Sequence, residues 1–137
     1  MAIGLEYGLM IKLVLAVILG GIIGIERERN HKPAGIRTHM LVAMGSCLFT
    51  IASISFGDDP SKIAAGIVTG IGFIGAGTII AEKGDKIVGI TTAASLWTTA
   101  SIGLLVALDE YLLAGFASIL IIAILLTEHL VRKLCIK

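Results

Sequence analysis

Residues 38–57 read THMLVAMGSCLFTIASISFG, twenty consecutive positions without a charged side chain. A helix rising about 1.5 Å per residue needs about 20 such residues to cross the roughly 30 Å hydrocarbon core of a bilayer, so this stretch predicts a membrane span. The reading extends in both directions. Ile63 to Ala81, Ile87 to Leu108 and Tyr111 to Thr127 are equally free of charge, and Tyr7 to Ile25 is broken only by Lys12, whose alkyl stem can carry its ammonium back to the headgroups. The first run ends in Ile25-Glu26-Arg27 with no small-residue cleavage site, so it reads as an anchor rather than a signal peptide. With 56% of the 137 residues hydrophobic and 15% charged, a water-soluble or disordered chain is excluded. A net charge of +1 gives no basic field for nucleic acid. The expectation is an all-α integral membrane protein, one transmembrane domain over residues 1–137, with about five transmembrane helices near 7–25, 38–57, 63–81, 87–108 and 111–127.

Five spans put the termini on opposite sides, and the basic residues say which. Arg27, Arg29, Lys32 and Arg37 lie between the first two runs, Lys83 and Lys86 between the third and fourth, and Arg132, Lys133 and Lys137 after the fifth. Only Lys12 and Lys62 fall on the other side. By the positive-inside rule the N-terminus is outside and the C-terminus cytoplasmic. The outer connections, including Asp59, are too short to hold a domain.

The first cytoplasmic loop concentrates the polar information in Glu26, Arg27, Glu28, Arg29, Lys32, Arg37, Thr38 and His39. Pro33 disfavours helix at Lys32, which predicts that the first helix leaves the bilayer for about two turns and stops there. Glu26 faces Arg29 and Glu28 faces Lys32 at helical spacing, pairs worth only about 0.2–0.5 kcal/mol each. Glu26 sits at the hydrocarbon edge, where an unpaired carboxylate is costly, and Arg29 or Arg37 is its expected partner. The loop is either a solvated helix end or a docking and sensing surface for headgroups, a protein or an ionic ligand.

Inside the spans, small polar residues recur at helical period. His39, Ser46, Thr50 and Ser53 fall on one face of the second run, and Thr91, Thr92, Ser95, Thr98 and Thr99 on one face of the fourth. Two such faces are expected to meet, as a packing seam or as a narrow hydrated path. Asp and Glu are absent from spans two to five, which counts against a dedicated ion path. Gly66, Gly70, Gly72, Gly75 and Gly77 line the third run as a close-packing seam or a cavity lining; Gly20 and Gly24 repeat the G-x-x-x-G device in the first. The G-x-G-x-x-G of Gly70, Gly72 and Gly75 lacks the strand and βαβ context of a dinucleotide site. No G-x-S-x-G, H-E-x-x-H or C-x-x-C occurs, so no enzyme, cofactor or metal site is expected.

Three ordered motifs carry a family resemblance. Gly24-Ile25-Glu26-Arg27-Glu28-Arg29 with Lys32-Pro33-Ala34-Gly35-Ile36-Arg37-Thr38-His39, then Asp59-Pro60-Ser61-Lys62-Ile63-Ala64-Ala65 with Gly70-Ile71-Gly72-Phe73-Ile74-Gly75-Ala76-Gly77, then Gly89-Ile90-Thr91-Thr92-Ala93-Ala94-Ser95-Leu96-Trp97-Thr98, resemble the signatures of the MgtC/SapB membrane proteins. The resemblance implies a bacterial or archaeal plasma-membrane protein. It links the chain to growth under magnesium limitation, to survival inside host phagocytes (a virulence-related family) and to restraint of the proton-translocating ATP synthase, and does not imply direct magnesium transport. Longer members continue into a soluble domain resembling an ACT fold; this sequence ends at Lys137, so the functions of that domain are not expected to carry over. Some members have Asn where Thr91 stands. The function expected is non-enzymatic modulation of ion, notably magnesium, or energy homeostasis through contacts in the bilayer, by a homo-oligomer, a dimer being favoured, with a membrane partner such as the ATP synthase. The alternative is a small permease for Mg²⁺, K⁺ or H⁺ using the Ser/Thr faces of spans two and four.

Overall fold

The computed structural model describes residues 2–56, 59–82 and 86–135. Five helices run α1 Ala2–Arg29, α2 Ile36–Ser55, α3 Pro60–Ala76, α4 Ile90–Ala107 and α5 Tyr111–Cys135, with strands β1 Ile80–Glu82 and β2 Lys86–Val88 between α3 and α4. Four of the helices, α1, α2, α4 and α5, are long and apolar enough to cross a membrane. With 17 residues, α3 reaches only about 26 Å at the usual rise, somewhat short of the hydrocarbon thickness. Gly57 and Asp58 of the first outer connection, Lys83, and Lys137 lie outside the described residues.

The five expected helices are present, and a short strand pair that the sequence did not announce lies between α3 and α4. The chain leaves α3 at Gly77, not residue 81, and enters α4 at Ile90, not residue 87. Between them β1 and β2 pair antiparallel, Ile80 opposite Val88 and Glu82 opposite Lys86. Clustered β-branched residues favour strand over helix there. Gly89 turns the chain back with φ +94, and a Cβ at this position would collide with the Thr78 carbonyl oxygen, so both conformation and space demand glycine. The first helix also stops earlier than expected: α1 ends at Arg29, one turn past Ile25, and His31 takes a left-handed φ of 52.

The helices alternate in direction around α2, which packs on α1 and α4. Fully buried Ala16, Ile23, Ala43, Cys47, Ile102 and Val106 form the main core. Small residues at the crossings set the distances. A Cβ on Gly20 would lie 2.6 Å from the His39 carbonyl oxygen, one on Gly24 2.6 Å from Ile36 Cα, and one on Gly103 would strike the Ala43 carbonyl. Large apolar side chains point outward, as at Ile11, Leu112, Phe116 and Ile124, the pattern of a bilayer solvent rather than water. At one end of the bundle, Lys12 Nζ donates to the Ala107 carbonyl at 2.9 Å and to Asp109 Oδ2 at 2.8 Å. The ammonium anticipated among headgroups thus clasps α1 to the α4–α5 turn.

Candidate functional site

At the opposite end, α1 carries two charged residues into the protein interior. Glu26 is 7% exposed and Arg27 1%. The Arg27 Nη2 donates to Thr92 Oγ1 on α4 at 3.1 Å, and its Nη1 lies 3.5 Å from Glu26 Oε2. Asn30, one turn on, donates from Nδ2 to Glu26 Oε1 at 2.6 Å. The partners expected for Glu26 were Arg29 or Arg37; both are exposed, and Arg27 and Asn30 take their place because α4 draws the Arg27 side chain inward. Arg27 Nε and Nη1 and Glu26 Oε2 have no hydrogen-bond partner among the described residues. A buried, incompletely bonded ion pair is expensive to keep, and breaking it by removing one member costs more still.

The two polar faces meet beside this pair. His39, Ser46, Thr50 and Ser53 of α2 and Thr92, Ser95 and Thr99 of α4 are all buried. His39 Nδ1 lies 3.0 Å from the Gly35 carbonyl, which only accepts, so Nδ1 carries a proton. Its Nε2 lies 3.2 Å from Ser95 Oγ, and Ser95 donates to the Thr92 carbonyl at 2.8 Å. Ser46 Oγ donates across the interface to the Ala100 carbonyl at 2.6 Å. Thr50 and Thr99 bond back to their own helices, onto Ser46 and Ser95 carbonyls. Ser46 thus ties α2 to α4 and Thr50 and Thr99 satisfy their own backbone, while the buried Ser53 Oγ has no hydrogen-bond partner among the described residues. Two members of the expected stripe fall outside the seam: Thr91 is exposed and Thr98 half-buried, bonding to the Ala94 and Ser95 carbonyls.

The α1–α2 loop is shaped by further bonds. Glu28 Oε2 accepts from the Ile36 backbone N–H at 2.9 Å, capping α2 in place of the side chain that Gly35 lacks; a Cβ on Gly35 would occupy the same space as that carboxylate. Lys32 Nζ donates to Glu128 Oε1 of α5 at 2.8 Å, a tie between loop and last helix rather than the expected Glu28 pair. A polar cleft of about 390 Å³ opens here, lined by residues that include Glu28, His31, Lys32, Arg37 and Thr38.

Most of the α3 glycines face open space among the described residues. A Cβ on Gly66, Gly70 or Gly72 would meet nothing within 4 Å; only Gly75 abuts another helix, where a Cβ would lie 3.4 Å from that of Ala93, and Gly77 ends the helix. Gly66 and Gly70 instead line an apolar groove of about 630 Å³ between α2 and α3. Asp59 caps α3, its Oδ1 accepting from the Ser61 N–H at 2.9 Å, a bond that holds its carboxyl below the usual carboxylate range. Among the described residues no group of three or more His, Cys, Asp or Glu is placed to hold a metal.

Sequence reasoning located Glu26, Arg27, His39 and the buried hydroxyls but missed Asn30, Gly103 and Glu128. Asn30 was visible one turn after Glu26; nothing in sequence marks Gly103 or Glu128 as partners of α2 or the loop.

The family described as MgtC family matches residues 13–134. "Putative magnesium transporter YhiD" of Escherichia coli K12 is 45% identical over 130 residues, covering 88% of this chain and 60% of that protein. "Protein MgtC" of Salmonella typhimurium is 43% identical over 127 residues, covering 90% of this chain and 54% of its own length. An uncharacterized Haemophilus influenzae protein is 37% identical over 133 residues, covering 89% and 56%. The chain therefore spans little more than half the length of the curated relatives it matches. No solved structure matches it.

Proposed function

The chain belongs to the MgtC family, and from that premise we propose that it modulates ion or energy homeostasis in a bacterial or archaeal plasma membrane by contact with a membrane partner, without catalysing a reaction. One relative is named for magnesium, which makes magnesium the ion of first interest. The observation that carries the reading is the division of polar groups. Of the buried hydroxyls of α2 and α4, Ser46, Thr50, Ser95 and Thr99 are engaged in helix-to-helix or backbone bonds and Ser53 near the end of α2 is not, whereas Arg29 and Arg37 stand exposed where α1 and α2 meet their connecting loop. A chain built this way is equipped to pack and dock, and a permease would need open polar groups at depth. The positive-inside arrangement of the basic residues supports a cytoplasmic position for the loop, with α3 as a fifth crossing. The proton-translocating ATP synthase is the partner the family resemblance points to.

A photo-crosslinking residue at Arg29 or Arg37 in native membranes tests it. A discrete protein adduct is expected, lost when the other arginine is changed to Gln. Adducts with lipid alone, in cells whose growth at low magnesium still depends on the chain, would overturn the docking reading.

A further inference from the structure

Two clefts of opposite chemistry meet at one residue. Thr38 lines both the polar cleft of about 390 Å³ at the α1–α2 loop and the apolar groove of about 630 Å³ between α2 and α3. Both volumes fall in the range of ligand sites, roughly 300–1,000 Å³. Along α2 the groove runs from Thr38 to Phe49, and along α3 from Ile74 back to Ile63. At about 1.5 Å per residue either wall is some 16 Å long, the depth of one leaflet of a roughly 30 Å core. The groove floor is open where it could have been filled: a Cβ on Gly45, Gly66 or Gly70 meets nothing within 4 Å.

The polar cleft supplies the complementary head. Its carboxylate, Glu28, is engaged by the Ile36 N–H, and Lys32 is engaged by Glu128. Arg37, His31 and Thr38 line the same cleft, and an arginine fork matches phosphate oxygens in pairs. One molecule that fills both spaces needs an anionic phosphate head joined to an apolar chain one leaflet long.

We propose that the loop and groove together hold one anionic phospholipid, its phosphodiester at Arg37 and Thr38 and one acyl chain lying along α2 and α3 against Gly45, Gly66 and Gly70. The site goes beyond the docking function, with which it shares Arg37, and requires only that these walls face the bilayer. Occupancy would fix the separation of α2 and α3, two helices that the groove otherwise leaves apart.

The test is native mass spectrometry of the full chain released from nanodiscs of equimolar phosphatidylglycerol and phosphatidylcholine. Expected is one retained phosphatidylglycerol per chain at about tenfold preference, the scale on which one or two basic side chains act on an anionic lipid. Arg37→Gln is expected to abolish the preference, and the pair Gly66→Leu with Gly70→Leu to lower retention of both lipids about tenfold by filling the groove. Added inorganic phosphate should leave retention unchanged. Equal retention of the two lipids by the unaltered chain overturns the proposal without recourse to any variant. So does displacement by inorganic phosphate, which would make the cleft a free-anion site, or a lipid-free dimer that Gly70→Leu dissociates, which would give the groove to a second copy.

Discussion

Arg27 shows why a residue's partners are harder to read than its position. Adjacent helix positions point about 100° apart, so Glu26 and Arg27 are poor candidates for a pair in sequence, and Arg29 or Arg37 looks better placed. Burial against Thr92 of α4 reverses that ranking, and no local pattern announces it. Because Glu26 stays buried when its neighbour is removed, Arg27→Met is expected to destabilise by about 3–5 kcal/mol. The double change Glu26→Gln with Arg27→Met should cost less than Arg27→Met alone, a sign readable in denaturant titrations of the detergent-solubilised chain. Glycines separate in the same way. Gly103→Ala drives a methyl into the Ala43 backbone and should cost on the order of 1–3 kcal/mol, whereas Gly70→Ala meets nothing and should be neutral or gain up to about 1 kcal/mol from helix propensity. Equal effects in thermal melts would mean that α2 and α4 do not approach as described.

At the scale of elements, hydropathy and run length located all five helices, because the bilayer imposes a length that a charge count can detect. The same signal could not find the β1–β2 hairpin. The charge-free run continues past the end of α3, and the turn depends on Gly89 meeting Thr78, a contact between the two elements. The polar faces of α2 and α4 were legible from period alone, since burial in both helices follows the 3.6-residue repeat. The α3 stripe was legible as a stripe but not as an open wall, because a row of glycines says that something can approach and not what does. The Lys12 clasp carries a pH signature. The Lys12 ammonium, with the Tyr111 hydroxyl, holds the Asp109 carboxyl below its ordinary value. A depressed carboxyl contributes stability that is present above the unfolded value, near 3.9, and fades as pH falls through the lower folded value. Asp109→Asn should therefore lower the melting temperature slightly at pH 7 and make no difference once the acid range below the folded value is reached; a difference that persists there would show that the clasp is not ionic.

For the whole molecule, alternating helix direction brings the α1–α2 loop, the β1–β2 hairpin and the start of α4 to one end, and Lys12 with Asp109 to the other. In a background without Cys47 and Cys135, Ser61→Cys is expected to react with a membrane-impermeant maleimide in intact cells, and Arg29→Cys only after permeabilisation. Labelling of both from outside would mean that α2, the one helix between them, does not cross. Function turns on whether the bundle conducts. Purified chain in liposomes loaded with a magnesium indicator, with K⁺ and H⁺ followed in parallel, gives the most direct reading. Ion entry is expected to stay at the level of protein-free vesicles, with Thr92→Val and Ser46→Ala changing only stability; robust flux that either substitution abolishes would make the buried hydroxyls a pathway and the protein a permease.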